Sequence, residues 1–184
     1  PKQSTFEATN KIELLIPNIP RSFLDLKNSY LKFTIKNKTG AGACQFDNSA
    51  YCLFEKITVS SKGLILDELQ NCASYYALTN SFEAHPFSGY DDIIGLSSDY
   101  KLPWVGQSIV SEKTFILPFT HGLFSSTKYL PMFSQAGVKL EFLLNQVDKC
   151  ILANTAANAA FEISNVEFVY PCLTMDQETF NSLN

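Results

Sequence analysis

Apolar and polar residues alternate with a period of two along much of this chain, the pattern of strands with one dry and one wet face. Ile12, Leu14 and Ile16 alternate with Lys11 and Glu13. Leu31, Phe33 and Ile35 alternate with Lys32, Thr34 and Lys36, the cleanest strand of the sequence. Ile57 and Val59 face away from Lys56, Thr58 and Ser60, and Ser60-Ser61-Lys62-Gly63 then turns back into Leu64-Ile65-Leu66, which reads as a hairpin. Phe115, Leu117 and Phe119 form another stripe, and Val138, Leu140, Phe142 and Leu144 oppose Lys139 and Glu141. In a further strand Phe161 and Ile163 point one way; after Ser164-Asn165 the phase flips to Val166, Phe168 and Tyr170, which predicts a β-bulge. Weaker strands are expected near 105–110 and 150–153. Each strand has one apolar face, so a second sheet must cover it.

Three segments break the pattern. Residues 67–79 read as a helix, with Asp67 and Glu68 at its N-terminus, where acidic side chains suit the helix dipole, and Leu69, Cys72 and Tyr76 as its apolar stripe. Residues 84–112 read as a long loop rich in Gly, Pro, Ser and Asp, a length that is usually functional inside a compact domain. Residues 175–184 begin a short helix, with Thr174 or Asp176 as cap. The expectation is an all-β fold: an eight-stranded antiparallel jelly-roll sandwich with two short helices, in one domain over residues 1–184.

Composition narrows the function classes. Apolar residues make up 46% of the 184 residues and charged residues only 17%, with a net charge of −4. That excludes a disordered chain and gives no basic footprint for nucleic-acid phosphates. The apolar runs are too short for a transmembrane helix, and polar Pro1-Lys2-Gln3-Ser4-Thr5 offers no secretory signal. A folded monomer usually carries more surface charge than this, so part of the surface is expected not to face water.

Candidate chemistry is sparse. Cys44, Cys52, Cys72, Cys150 and Cys172 include no C-x-x-C pair, which reads as reduced, partly buried thiols rather than zinc ligands. His85 and His121 lie 36 positions apart, with no H-x-H and no adjacent nucleophile, so neither a catalytic base nor a cupin-type metal site is expected. Asp91-Asp92 reads as a solvated turn, with calcium through loop carboxylates as the alternative. Lys32, Lys36 and Lys38 beside Tyr30 and Phe33 read as the polar face of an ordinary strand. Asn37-Lys38-Thr39 is read as a chance sequon. No enzyme, metal or cofactor is expected.

Several segments together resemble jelly-roll viral capsid proteins, most of all the N-terminal half of the double jelly-roll major capsid proteins of the adenovirus, tectivirus and polinton lineage. Ile12-Glu13-Leu14-Leu15-Ile16-Pro17 followed by Phe23-Leu24-Asp25-Leu26-Lys27-Asn28-Ser29-Tyr30-Leu31-Lys32-Phe33 is similar to that family's first two strands. Ser49-Ala50-Tyr51-Cys52-Leu53-Phe54-Glu55-Lys56-Ile57-Thr58-Val59 resembles its next strand, and Ile65-Leu66-Asp67-Glu68-Leu69 its passage into a helix. Leu117-Pro118-Phe119, Tyr129-Leu130-Pro131 and Val138-Lys139-Leu140-Glu141-Phe142 resemble its later strands, and Ile163-Ser164-Asn165-Val166-Glu167-Phe168-Val169 its last.

The resemblance implies a structural subunit that assembles with copies of itself and other capsid proteins, as trimers with pseudo-hexagonal outlines, into an icosahedral shell of a DNA virus. It implies a location in the virion. A double jelly-roll chain is about twice this length, so the sequence is either one half of such a chain or a single jelly-roll capsid protein. No basic N-terminal arm is present for genome contact. The uncharged, aromatic-rich stretches at 67–79, 84–112 and 122–137 are where burial against neighbours is expected, through Tyr75, Tyr76, Phe82, Phe87, Tyr90, Trp104, Phe124, Tyr129 and Phe133. Two alternatives remain: a carbohydrate- or ligand-binding jelly-roll module with Trp104, Tyr90 and Tyr100 as a stacking platform, and a small enzyme on the same fold, which the histidine count disfavours.

Overall fold

The computed structural model describes residues 4–38, 44–82, 89–96, 105–152 and 160–182. One four-stranded antiparallel sheet runs in the order β1 (Thr5–Glu7), β13 (Phe161–Val169), β4 (Tyr30–Asn37), β9 (Glu112–Pro118). The second runs β2 (Lys11–Ile16), β11 (Val138–Leu144), β6 (Phe54–Ser61), β7 (Leu64–Gln70). Taken in chain order, the strands of these two sheets interleave as 1-8-3-6 and 2-7-4-5, the double Greek key of a jelly roll. Short ribbons extend the sandwich: β10 (Leu130–Pro131), β3 (Ser22–Leu24) and β14 (Cys172–Thr174) form one, and β12 (Ile151–Leu152), β5 (Cys44–Asp47) and β8 (Val105–Ile109) the other.

The period-two residues do what their spacing predicts. Ile12, Leu14 and Ile16, Leu31, Phe33 and Ile35, and Val138, Leu140, Phe142 and Leu144 are all buried between the sheets. The expected bulge is present. The register of β13 against β4 shifts between Ser164 and Glu167, with Asn165 in the left-handed region at φ 51°, and Phe161, Ile163 and Val166 all stay buried across the phase change. The β6–β7 hairpin turns at Lys62-Gly63, both at positive φ (53° and 79°), as a two-residue turn matched to strand twist requires.

Phenylalanines tie the two sheets together. Phe46 packs on Phe115 (ring centroids 5.3 Å apart), Phe115 on Phe33 (6.1 Å), Phe33 on Phe54 (5.8 Å), Phe54 on Phe142 (5.7 Å), Phe142 on Phe119 (5.7 Å) and Phe119 on Phe124 (5.2 Å). Phe33 and Phe115 belong to the first sheet and Phe54 and Phe142 to the second, so the Phe33–Phe54 contact is the crossing point. Tyr51, in the buried 3-10 turn Ala50–Leu53, donates its hydroxyl to the Pro118 carbonyl and so pins the start of β6 to the end of β9. The ribbon around β8 approaches just as closely. A Cβ at Gly106 would sit 2.5 Å from both the Asn48 carbonyl oxygen and Phe46 Cβ, so only glycine fits there.

The helices differ from expectation. Among the described residues there are five rather than two: α1 (Cys72–Phe82), α2 (Tyr90–Ile94), α3 (Gly122–Ser125), α4 (Val147–Cys150) and α5 (Gln177–Ser182). The helix expected over 67–79 begins only at Cys72, because Asp67 and Glu68 lie on β7 in register with Val59 and Thr58. Cross-strand pairing with β6 outweighs the local acidic signal, and Asn71 at φ 54° then turns the chain into α1. The expected 84–112 loop contains α2, β8 and the first residue of β9 within its described part. For α5 the expected cap holds: the Asp176 carboxylate accepts the Thr179 amide at 2.7 Å.

The outer face of the second sheet is a lattice of rows set by register. Leu15, Lys139, Ser60 and Ile65 form one row; Glu13, Glu141, Thr58 and Glu68 the next; Lys11, Leu143, Lys56 and Gln70 the third. The acidic row is thereby flanked by lysines on both sides. Lys11 pairs with Glu13 (2.5 Å) and Glu141 (2.8 Å), Lys139 with Glu13 (3.2 Å) and Glu141 (3.0 Å), and Lys56 with Glu68 (3.2 Å). Hydrogen bonds from Lys11 and then Lys139 hold the Glu13 carboxyl down to about 2, and a hydrogen bond from Lys11 lowers Glu141. On the first sheet Lys32 pairs with Glu167, Lys36 stands in register with Glu162 and Glu112, and Lys38, just past the strand, pairs with Glu162.

Two predictions follow from this packing. Phe33→Ala should lower unfolding stability by about 3–5 kcal/mol in denaturant titration, whereas Lys32→Ala, on the opposite face of the same strand, should change it by no more than about 0.5 kcal/mol. The Glu13 carboxyl should titrate well below 4.5 by carboxyl-detected NMR. The folded state favours the ionised form, so this contribution is fully present above pH 4.5 and fades as pH falls toward 2. High salt should weaken it, because the pair is exposed.

Candidate interaction surface

Among the described residues the uncharged helix α1 is the most distinctive exterior feature: residues 72–82 carry no Asp, Glu, Lys or Arg. Its inner face is set by Cys72 and Tyr76, one turn apart and both buried. Tyr76 stacks on Tyr51 with centroids 3.9 Å apart and planes at 11°. The Tyr76 hydroxyl oxygen accepts the Thr120 amide (3.2 Å) and lies 2.7 Å from His121 Nδ1. On the opposite face, Leu78 and Phe82 are one turn apart and are 60% and 85% exposed. Those two side chains give α1 an apolar surface that the described residues leave uncovered.

Next to α1, the turn α3 is tied to the edge strand β7. The Asp67 carboxylate accepts the Leu123 amide at 2.8 Å. Gly122 (φ 47°) lies so close that a Cβ there would run into that carboxylate, which explains glycine at this position. The two acidic residues misread as a helix start therefore do different work: Glu68 joins the outer lattice and Asp67 anchors α3.

Further apolar surface lies at the β6–β7 hairpin, where Leu64, Ile65 and Leu66 are all exposed on an edge strand, and at Leu15 on β2, which is 72% exposed. Leu15 and Ile65 stand at opposite ends of one row and flank a shallow concavity of about 580 Å³ floored by Thr58, Ser60, Lys139 and Glu141. A bulge between Val59 and Ser60 distorts the pairing at this edge, which blunts it as a template for further strands. A third patch lies by the β10-β3-β14 ribbon, where Tyr129, Phe133 and Leu173 are exposed and Phe133 packs edge-on against Phe23 (5.4 Å) and Phe180 (5.0 Å).

The aromatic residues expected at an interface therefore divide. Phe82, Tyr129 and Phe133 reach the surface, and Tyr75 and Tyr90 are half-buried against the core. Tyr76 and Phe124 do not belong with them. Each is 1% exposed, Tyr76 under α1 against Tyr51 and Phe124 against Phe119, so neither has surface to offer a partner. Phe87 and Trp104 lie outside the described residues, as does Tyr100. Sequence reasoning missed Leu15, Leu64, Ile65, Leu66 and Leu78. Their signal was present: Leu15 is out of phase with Ile12, Leu14 and Ile16, and three consecutive apolar residues on one strand cannot all point inward.

Cys44, Cys52, Cys72 and Cys150 are buried free thiols, and burial pushes Cys72 and Cys150 up to about 12. Such thiols are poor nucleophiles. No group of three His, Cys, Asp or Glu side chains there is placed to hold a metal ion. Asp91 and Asp92, expected in a turn, open α2, where Asp92 pairs with Lys113 at 2.7 Å. No described helix is long and apolar enough to cross a membrane.

No protein-family model and no curated protein matches this chain. Solved structures do. The chain is similar to one in a quasi-atomic model of the PBCV-1 virus capsid, with a TM-score of 0.61 over 96% of this chain, 43% of that chain and 12% identity. It also matches the crystal structure of the STIV MCP at 16% identity, over 99% of this chain and 50% of that one, with a TM-score of 0.44. The chain thus spans about half or less of the length of these matched chains. At such identities the likeness is one of fold, and it agrees with the strand order: this chain is a jelly roll of a kind also built into a viral capsid.

Proposed function

We propose that the chain is a structural capsid protein, one jelly-roll unit of a subunit that assembles with copies of itself into trimeric or pseudo-hexameric capsomers and resides in the virion of a DNA virus. The observation that carries this reading is the likeness to the PBCV-1 capsid chain, which extends over 96% of the chain rather than over a sheet fragment. The distribution of surface supports it. Both sheets keep charged outer faces whose lysines and glutamates neutralise one another, while exposed apolar side chains gather on α1, the β6–β7 hairpin and the β10-β3-β14 ribbon. A scaffold whose sheet faces carry paired charges and whose exposed apolar side chains lie on edge strands and connections offers contact sites without exposing its core. In a closed shell, individually weak contacts repeated around each subunit add up to a stable assembly. No step of this role calls for an active site.

Under this proposal α1 contributes Leu78 and Phe82 to a neighbouring subunit. The purified protein should form trimers or larger particles by light scattering and negative-stain microscopy at micromolar concentration. Leu78→Asp combined with Phe82→Asp should leave a monomer. Both positions are solvent-exposed, so the melting temperature of that monomer should stay within a few degrees of the unaltered chain. An unaltered protein that remained a compact monomer at high concentration would contradict the reading.

A further inference from the structure

His121 is 5% exposed and stands where three elements meet: α1 supplies Tyr75 and Tyr76, β7 supplies Asp67, and the segment from Phe119 through α3 supplies Phe119 and Phe124. We take the tautomer in which the Tyr76 hydroxyl, whose oxygen accepts the Thr120 amide, donates its proton to His121 Nδ1, 2.7 Å away. The neutral ring then carries its hydrogen on Nε2, a buried atom with no hydrogen-bond partner among the described residues. A proton added at Nδ1 turns that nitrogen from acceptor to donor, so the Tyr76 hydroxyl hydrogen must turn away, and it places a cation where only 5% of the residue meets water. The charge facing the ring is Asp67, whose carboxylate is engaged with the Leu123 amide.

We propose that His121 is an acid-operated pin, whose protonation releases α1 and α3 together from the sandwich. The proton comes from solvent and goes to Nδ1. As the ring takes it up, the hydrogen bond from the Tyr76 hydroxyl to His121 is lost, and the hold of α1 on the segment before α3 weakens to the Thr120 contacts of Tyr75 and Tyr76. Burial keeps the ring's affinity for protons below that of a free imidazole, with Asp67 acting in the opposite sense. The folded form thus favours neutral His121. Its stabilisation is complete above the ordinary value of 6.5 and is lost as pH falls below it. In an assembled shell this would loosen the contacts made by α1, a consequence that rests on the capsid reading; the local release does not.

Hydrogen exchange followed by mass spectrometry between pH 7.5 and pH 5.0, corrected for intrinsic exchange rates, tests the pin in monomer or assembly alike. Exchange within α1 and α3 should rise by up to about 30-fold, the factor by which an opened state with a normal imidazole gains on a closed neutral one. The central strands β6 and β11 should not change. His121→Gln, whose amide oxygen can accept from Tyr76 without titrating, should abolish the rise, and His121→Phe provides a second non-titrating variant should the first fold poorly. An equal rise in either variant would overturn the proposal, as would NMR showing the His121 imidazole titrating near 6.5 in a folded protein with no exchange response. Protein that never assembles but shows the exchange response would refute the capsid reading and leave the pin supported.

Discussion

The packing of the two sheets' apolar faces on each other, with the Phe33–Phe54 contact between strands of the two sheets, is the constraint on which the rest of the structure depends. Each sheet alone would expose one wholly apolar face, and a β-sheet with an open apolar face is not stable in water. The row from Phe46 through Phe115, Phe33, Phe54, Phe142 and Phe119 to Phe124 closes that face with large rings at 5.2–6.1 Å, the spacing at which aromatic pairs add to simple burial. This explains how a chain with so many aromatic and so few charged residues folds without a disulfide among its buried thiols.

Committing the aromatics to the interior has consequences for the exterior. The outer rows of the second sheet are neutralised by cross-strand pairing, so the sheet faces need few charges to stay solvated, and the low charge fraction is not a shortage there. Uncovered apolar side chains lie instead on the connections and edges, which the sandwich holds rigidly. Helix α1 shows both tendencies within two turns: Tyr76 locks it to the core, and Leu78 and Phe82 face outward. The same anchoring passes through His121, so the element that carries Phe82, the most exposed large apolar side chain among the described residues, is also the one held by a titratable contact.

Much of this was legible in the sequence, and the reasons are local. Strand faces follow from alternation, and even the bulge at Ser164-Asn165 announced itself as a change of phase. The cap at Asp176 is a three-residue signal and was readable for the same reason. What failed was non-local. Asp67 and Glu68 look like a helix start until β6 pairs with them, and nothing within their own segment reveals that partner. Tyr76 and Phe124 look like surface aromatics in uncharged stretches, but Tyr51 and Phe119, distant in sequence, claim them for the core. Conversely Leu15 and the Leu64-Ile65-Leu66 run are exposed although apolar; Leu15 is out of phase with its buried neighbours, and a run of three cannot turn every side chain inward.

The central claim is that the apolar face of α1 is covered by another subunit while the charged sheet faces are not. Hydroxyl-radical footprinting of free and assembled protein reads this directly, side chain by side chain. The account predicts strong protection of Leu78 and Phe82 on assembly, with Leu143, amid the lysines of the second sheet's outer face, labelled equally in both states. Equal labelling of Leu78 and Phe82 in the two states would contradict it.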